Sequence, residues 1–195
     1  MRIGVFGGTF DPPHLGHLVV AADVFEALRL DRLLLVPSAQ HPFKRSSVRA
    51  TPELRVEMIR AAVRGDARFA VDELELHRAG PSYTVDTLRA LRERYPDAEL
   101  FFLIGADNLR ELPAWREPEE VVRLATLVVM SRGGEHAGSD FPYPALAVNV
   151  TRVDISATEI RRRAGSGISI RYLVPEAVRE IVARESLYRE LVSSA

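Results

Sequence analysis

Two histidines three residues apart, His14 and His17, follow a pair of glycines and a rigid Asp-Pro-Pro in the opening stretch "FGGTFDPPHLGH", residues 6–17. Gly7 and Gly8 end an apolar run and let the backbone approach a ligand closely, while a helix that starts after them offers unpaired N–H groups and a positive dipole end. That is a phosphate cradle, although neither G-x-G-x-x-G nor G-x-x-x-x-G-K-[ST] occurs in the chain. At a spacing of three on a helix both imidazoles share one face, and beside a polyphosphate protonation of each is favoured, so that the pair donates charge-assisted hydrogen bonds. Two other readings of the pair stand open: a metal site, for which no cysteine and no nearby third ligand exist, and one histidine that caps while the other packs. Neither accounts for the glycines.

A second candidate anion site lies near the other end, at "ISATEIRRR", residues 155–163. Ser156 followed by Glu159 forms a capping box, so a helix begins at Ser156 and its first turn gathers backbone N–H groups, the Thr158 hydroxyl and Arg161. The alternative is an ordinary capped helix with exposed arginines. Lysine occurs once, Lys44, among 26 Lys and Arg residues, which marks a place where a compact ammonium is preferred, or a residual surface lysine.

The elements that position these groups read as alternating strands and helices. Apolar runs at residues 2–7, 32–38, 68–76, 98–107, 126–132 and 145–155 read as strands, the third with a polar extension. Helices are expected over 15–30, over 51–65 with Thr51 as N-cap and Pro52 at the first position, and over 83–96, 117–125 and the tail from 156 to 192. Residues 132–144, rich in Gly and Pro, read as a loop. Strands alternating with helices imply an α/β, Rossmann-like architecture: a mostly parallel sheet with helices on both faces, here with a helical C-terminal portion, in one domain spanning 1–195. Ligands in such sheets bind at the carboxyl ends of the strands, where each motif above falls.

Composition agrees with a folded water-soluble chain: 47% hydrophobic, 27% charged, formal net charge −1. No apolar run reaches the roughly 20 residues of a membrane helix, no signal peptide is evident and cysteine is absent, so a cytoplasmic location is expected, without membrane association. The charge balance gives no field for nucleic-acid binding, and self-association into a homo-oligomer stays open.

The motif "GGTFDPPHLGH" resembles the (G/S)-x-(T/S)-F-D-x-x-H-x-G-H signature of the nucleotidylyltransferase superfamily, and its Asp-Pro-Pro form is similar to bacterial nicotinate-nucleotide adenylyltransferases. "ISATEIR" resembles the family's I-S-(S/A)-T-x-I-R, "GPSYTVDTL" its G-P-S-Y-T-x-D-T, "FFLIGADNL" its F-x-I-G-A-D, "LPAW" its L-P-x-W, and "RYLVP", residues 171–175, its C-terminal pattern. Two positions depart: "HPFK" stands where P-P-H-K is common, touching His41 and Phe43, and Arg116 stands where an aromatic commonly follows the Trp.

The resemblance implies transfer of an adenylyl group from ATP to nicotinate mononucleotide, giving nicotinate adenine dinucleotide and pyrophosphate by direct in-line attack. It implies an ATP site made by Gly7, Gly8, Thr9, Phe10, His17, Gly105, Asp107, Ser156, Thr158 and Arg161. Nicotinate mononucleotide falls to Thr9, Lys44, Tyr83, Thr84, Thr87, Asp107 and Trp115, with Trp115 stacking on the pyridine and the helix start at Thr84 to Thr87 donating N–H groups to its carboxylate. His17 is then expected on the α-phosphate, and His14, Lys44 and Arg161 on the leaving phosphates, with Thr158 in the same cluster. A structural role and a phosphate contact are expected of residues 171–175. Mg²⁺ is expected with ATP, held mainly by substrate and water, with no metal site of the protein's own. A phosphopantetheine adenylyltransferase of the same superfamily, or a nucleotide-binding module without turnover, are the competing readings.

Overall fold

The structure, a computed structural model, describes residues 1–39, 48–131 and 143–189. Six strands form one parallel sheet in the order β3-β2-β1-β4-β5-β6. They are β1 (Arg2–Gly8), β2 (Arg32–Pro37), β3 (Phe69–Val71), β4 (Glu99–Gly105), β5 (Thr126–Ser131) and β6 (Ala145–Asn149). The intervening helices are α1 (Leu15–Ala27), α2 (Pro52–Ala62), α3 (Thr84–Arg94), α4 (Ala106–Glu111) and α5 (Pro118–Leu124), with α6 (Ala157–Gly165) and α7 (Glu176–Arg184) after the sheet.

Period-two alternation divides the strands between two cores. Leu34, Val36, Leu100, Phe102 and Ile104 pack with Val85, Leu88 and Leu91 of α3 and Val121 and Leu124 of α5. Leu33, Leu35, Phe101, Leu103 and Val128 pack on the opposite face with Val20, Ala21 and Val24 of α1. A third cluster joins Met58 of α2 to Ile160 of α6 and Val178, Ile181 and Val182 of α7, which docks the C-terminal helices beside the sheet. Each large side chain so buried is worth about 1.5–3 kcal/mol.

Strand order reverses at β1, and the register shows how this opens a crevice. Pairing of β1 with β2 continues to Gly8↔Pro37. Its pairing with β4 stops at Val5↔Phe102. Beyond that point the carboxyl ends of β1 and β4 separate, which is where open α/β sheets bind ligands.

Several elements are shorter than the sequence patterning suggests. The third strand ends at Val71, because Asp72 caps a turn by accepting the Leu74 N–H at 3.1 Å. The sixth ends at Asn149, and residues 150–155 run on as irregular chain toward α6. Helix α1 stops at Ala27, where Leu28 closes it and Arg29 adopts φ 48°, and α2 stops at Ala62. The tail is two helices joined by residues 166–175. Helix α4 and the 3-10 turn Leu112–Ala114 fall where patterning gave no helix. Thr51 caps α2, accepting the Leu54 N–H at 3.4 Å, and Ser156 caps α6, accepting the Glu159 N–H at 3.2 Å.

Candidate active site

Two cavities open at the carboxyl ends of β1 and β4. The larger, about 1050 Å³, is lined by Thr9, Phe10, His14, His17, Gly105 and Asp107 on one side and by Arg152, Ser156, Thr158 and Arg161 on the other. The smaller, about 480 Å³, is lined by Ser38, Glu75, Tyr83, Thr84, Thr87, Trp115 and Arg116. Gly7, Gly8, Leu103 and Asn108 belong to both linings, so the two spaces share a wall made by the ends of β1 and β4. A Cβ on Gly8 would lie 2.9 Å from the Phe10 ring, so close packing by the protein itself demands glycine there. At Gly7 the nearest atom is a Phe102 ring carbon at 3.9 Å, and the room a side chain would fill belongs to the shared wall.

His14 is the N-cap of α1, and its backbone N–H donates to Nδ1 of His17 at 3.2 Å. The two rings stack, with centroids 3.7 Å apart and planes 22° from parallel. Phe10, at φ 50° and buried, packs edge-on to His17 with centroids 5.0 Å apart. Because Nδ1 accepts, the neutral ring carries its proton on Nε2. Burial, with His14 stacked against it, pulls the His17 pKa from 6.5 down to about 3. Without a phosphate beside them, burial and the stacked neighbour disfavour charge on His17, whereas the two imidazolium donors were expected with a polyphosphate in place.

The second anion motif reaches the same cavity through a tether to the first. Arg161 donates to the backbone carbonyl of Asp11 at 2.9 Å and to the Thr158 hydroxyl at 3.3 Å. Its guanidinium is therefore anchored as well as cavity-lining. The Asp11 carboxylate, almost fully buried, accepts from the N–H groups of Arg49 at 2.7 Å and Ala50 at 3.2 Å and from the Tyr188 hydroxyl at 2.7 Å. Burial, with the Asp11 charge beside it, pushes the Tyr188 phenol up. Arg55, also buried, donates to the Thr9 carbonyl at 2.8 Å. The loop carrying the histidines is thus held from α2, α6 and the C-terminal segment.

In the smaller cavity, which Tyr83 and Thr84 also line, Trp115 packs edge-on against Phe102, with centroids 6.4 Å apart. Thr87, expected to receive the nicotinate end, spends its hydroxyl on Glu75 at 2.6 Å and on the Tyr83 carbonyl at 3.3 Å. The N–H groups of Asp86 and Thr87 return to that same carbonyl, and no side chain caps α3, which leaves the Thr84 end of the helix to offer donors. Burial pushes the Glu75 carboxyl up, against the hydrogen bonds from Thr87 and Ser82. Ser38, at the end of β2, is 8% exposed and its hydroxyl has no hydrogen-bond partner among the described residues.

The two motifs from opposite ends of the chain meet on one cavity, and Tyr83, Thr84, Thr87 and Trp115 meet on the other. Thr9 and Asp107, assigned to both substrates, line only the larger, and it is Asn108 that borders both. Lys44, with His41 and Phe43, lies outside the described residues. The 171–175 segment has a structural part, the Leu173 carbonyl accepting the Leu15 N–H of α1 at 3.0 Å, while Arg171 is not among the cavity residues. Asp11 stands in the motif without an assigned role; Arg55 and Tyr188 carry no sequence signal, since their partners Thr9 and Asp11 are distant in the chain, and Ser38 and Asn108 are picked out only by the cavities they line. No helix among the described residues is long and apolar enough to cross a membrane.

A family model described as cytidylyltransferase-like matches residues 5–163. A protein of Thermus thermophilus named a probable nicotinate-nucleotide adenylyltransferase is 50% identical over 190 residues, covering 97% of this chain and 100% of its own length. One of the same name from Rubrobacter xylanophilus is 44% identical over 201 residues, covering 97% and 92%. Among solved structures, the nicotinic acid mononucleotide adenylyltransferase of Plasmodium falciparum complexed with NaAD superposes with a TM-score of 0.80 over 96% of this chain and 97% of that one, at 20% identity, a likeness of fold.

Proposed function

The chain belongs to the cytidylyltransferase-like family and, within it, to the nicotinate-nucleotide adenylyltransferases, and from that premise we propose that it joins ATP and nicotinate mononucleotide into nicotinate adenine dinucleotide with release of pyrophosphate. The observation that carries this reading is the wall shared by the two cavities at Gly7, Gly8 and Asn108. A nucleoside triphosphate in the larger space and a mononucleotide in the smaller one bring their phosphates together at that wall.

The chemistry suits the groups present. A phosphomonoester loses its second proton near pH ~6, so the attacking oxygen is already anionic at neutral pH and no general base is required. The barrier lies in bringing two anions into line and in stabilising charge on the α-phosphoryl oxygens and the departing pyrophosphate. His17 supplies a preorganised Nε2–H from the first turn of α1, its ring oriented by the His14 N–H on Nδ1. His14 lies stacked on His17, Thr158 and Arg161 line the same cavity from α6, and the Arg161 hydrogen bond to the Asp11 carbonyl ties the two sides together. Trp115 and Tyr83 both line the smaller cavity and offer ring faces to the pyridine, and the buried Ser38 hydroxyl gains its missing partner from the mononucleotide.

Imidazoles and a guanidinium suit phosphate oxygens better than Mg²⁺, which takes oxygen ligands; of the lining carboxylates Asp11 is already held by Arg49, Ala50 and Tyr188, and among the described residues no group of three or more His, Cys, Asp or Glu side chains is placed to hold a metal. We therefore treat Mg²⁺ as arriving on ATP, part of the substrate. Purified protein incubated with ATP, Mg²⁺ and nicotinate mononucleotide is expected to release one pyrophosphate per dinucleotide formed. Pyrophosphate release independent of the mononucleotide, or none at all, contradicts this function.

A further inference from the structure

The smaller cavity has a lopsided charge inventory. Of its described lining residues Glu75 and Glu111 are acids, and Arg116 is the one base. A third acid, Asp86, stands in the first turn of α3. An acid there suits the helix dipole but opposes any anion brought to the same end. Backbone N–H groups at Thr84 do not resolve the problem of selectivity, because a donor serves the carbonyl oxygen of a carboxamide as readily as a carboxylate oxygen. The acids, for their part, favour the amide, whose NH₂ they accept. A formal positive charge is what separates the two ring substituents.

Arg116 meets that requirement by position. Its guanidinium lies over the Tyr83 ring, 5.0 Å from the centroid, directly after Trp115. It stands 3.4 Å from Asp86 and 3.6 Å from Glu117. Arg89 also faces Asp86, at 3.8 Å, but is shared with Glu117 and Glu120. Arg78 is used behind the wall, donating to the Tyr83 carbonyl and the Thr87 hydroxyl at 3.4 Å each. We propose that Arg116 is a specificity residue of the pyridine subsite: laid on Tyr83, it offsets Asp86 and the lining acids and makes the cavity prefer a ring carboxylate to a carboxamide. This rests on the adenylyl-transfer reading above and adds to it the group that reads the substituent. Packing over the ring of Tyr83, itself a lining residue, holds the charge beside the cavity.

The test compares kcat/KM for nicotinate mononucleotide and nicotinamide mononucleotide in the parent and in R116Q, R116E and R116K. One half-exposed charge facing a ring carboxylate is worth about tenfold. The acid-over-amide ratio is expected to fall about 10-fold in R116Q and further in R116E, to stay within about threefold in R116K, and to leave the KM for ATP unmoved. Ratios of R116Q and R116E within about twofold of the parent overturn the proposal, as does an equal fall for both mononucleotides, which is the mark of a merely structural residue. Thermal melts accompany each variant, and if R116E does not fold, the neutral and charged pair R116Q and R116K decides. A parent protein that releases no pyrophosphate with either mononucleotide fails earlier, and overturns the adenylyl-transfer reading together with the proposal.

Discussion

Replacing Ser38 with Ala separates stability from binding in opposite directions. The hydroxyl sits at the end of β2, 8% exposed, on the wall of the smaller cavity and without a hydrogen-bond partner among the described residues. An orphaned buried hydroxyl costs the fold about 1–3 kcal/mol of desolvation. Ser38→Ala removes that cost and a small volume, so a gain of about 1 kcal/mol is expected, which for a domain of this size raises Tm by about 2–4 °C. If the hydroxyl finds its partner in the mononucleotide, the same variant forfeits a neutral hydrogen bond worth about 0.5–1.5 kcal/mol, or about 2- to 10-fold in KM for nicotinate mononucleotide. The KM for ATP, assigned above to the other cavity, should not move. Differential scanning calorimetry of the ligand-free protein and initial-rate pyrophosphate assays read the two effects independently. A variant less stable than the parent and unchanged in KM would refute the reasoning, because it would mean that Ser38 is a packing residue and nothing more.

His17→Ala should lower kcat by about 10²-fold or more, the usual loss of one preorganised donor, with turnover within threefold of the parent counting against the role given to it. Its protonation makes a stability prediction too. With a folded pKa of about 3 against 6.5, the unfolded chain binds the extra proton between those values, so stability is full above pH 6.5 and is lost as pH falls toward 3. Urea titrations of the parent and of His17→Asn across that window should show a shallower pH slope in the variant. Tyr188→Phe removes the only hydroxyl on the Asp11 carboxylate among the described residues and should cost about 1.5–3 kcal/mol, seen as a lower urea midpoint at unchanged m. Gly8→Ala brings a methyl to 2.9 Å from the Phe10 ring and should lose both stability and activity, since Phe10 in turn seats His17; a fully active Gly8→Ala protein would mean that this packing does not matter.

What belongs to local chemistry was readable from the chain. Glycines before a helix, a Ser and a Thr three residues before a helix N–H, and period-two alternation in buried strands act through neighbours within a few residues, so the caps at Thr51 and Ser156 and the parallel α/β layout follow from the residues alone. The blocks around His14, Tyr83, Gly105, Trp115 and Thr158 carried the family for the same reason: each is a short segment whose backbone shape and side chains work together. What tertiary structure alone decided is how those segments share groups. Asp11 and Tyr188, 177 positions apart, close one hydrogen bond. The Thr87 hydroxyl meets the Glu75 carboxylate, and burial with a stacked ring lowers the basicity of His17. Burial, charge state and the assignment of a residue to one cavity or the other depend on what packs against it from elsewhere in the chain, and that is fixed only when the sheet has formed and the carboxyl ends of β1 and β4 have parted.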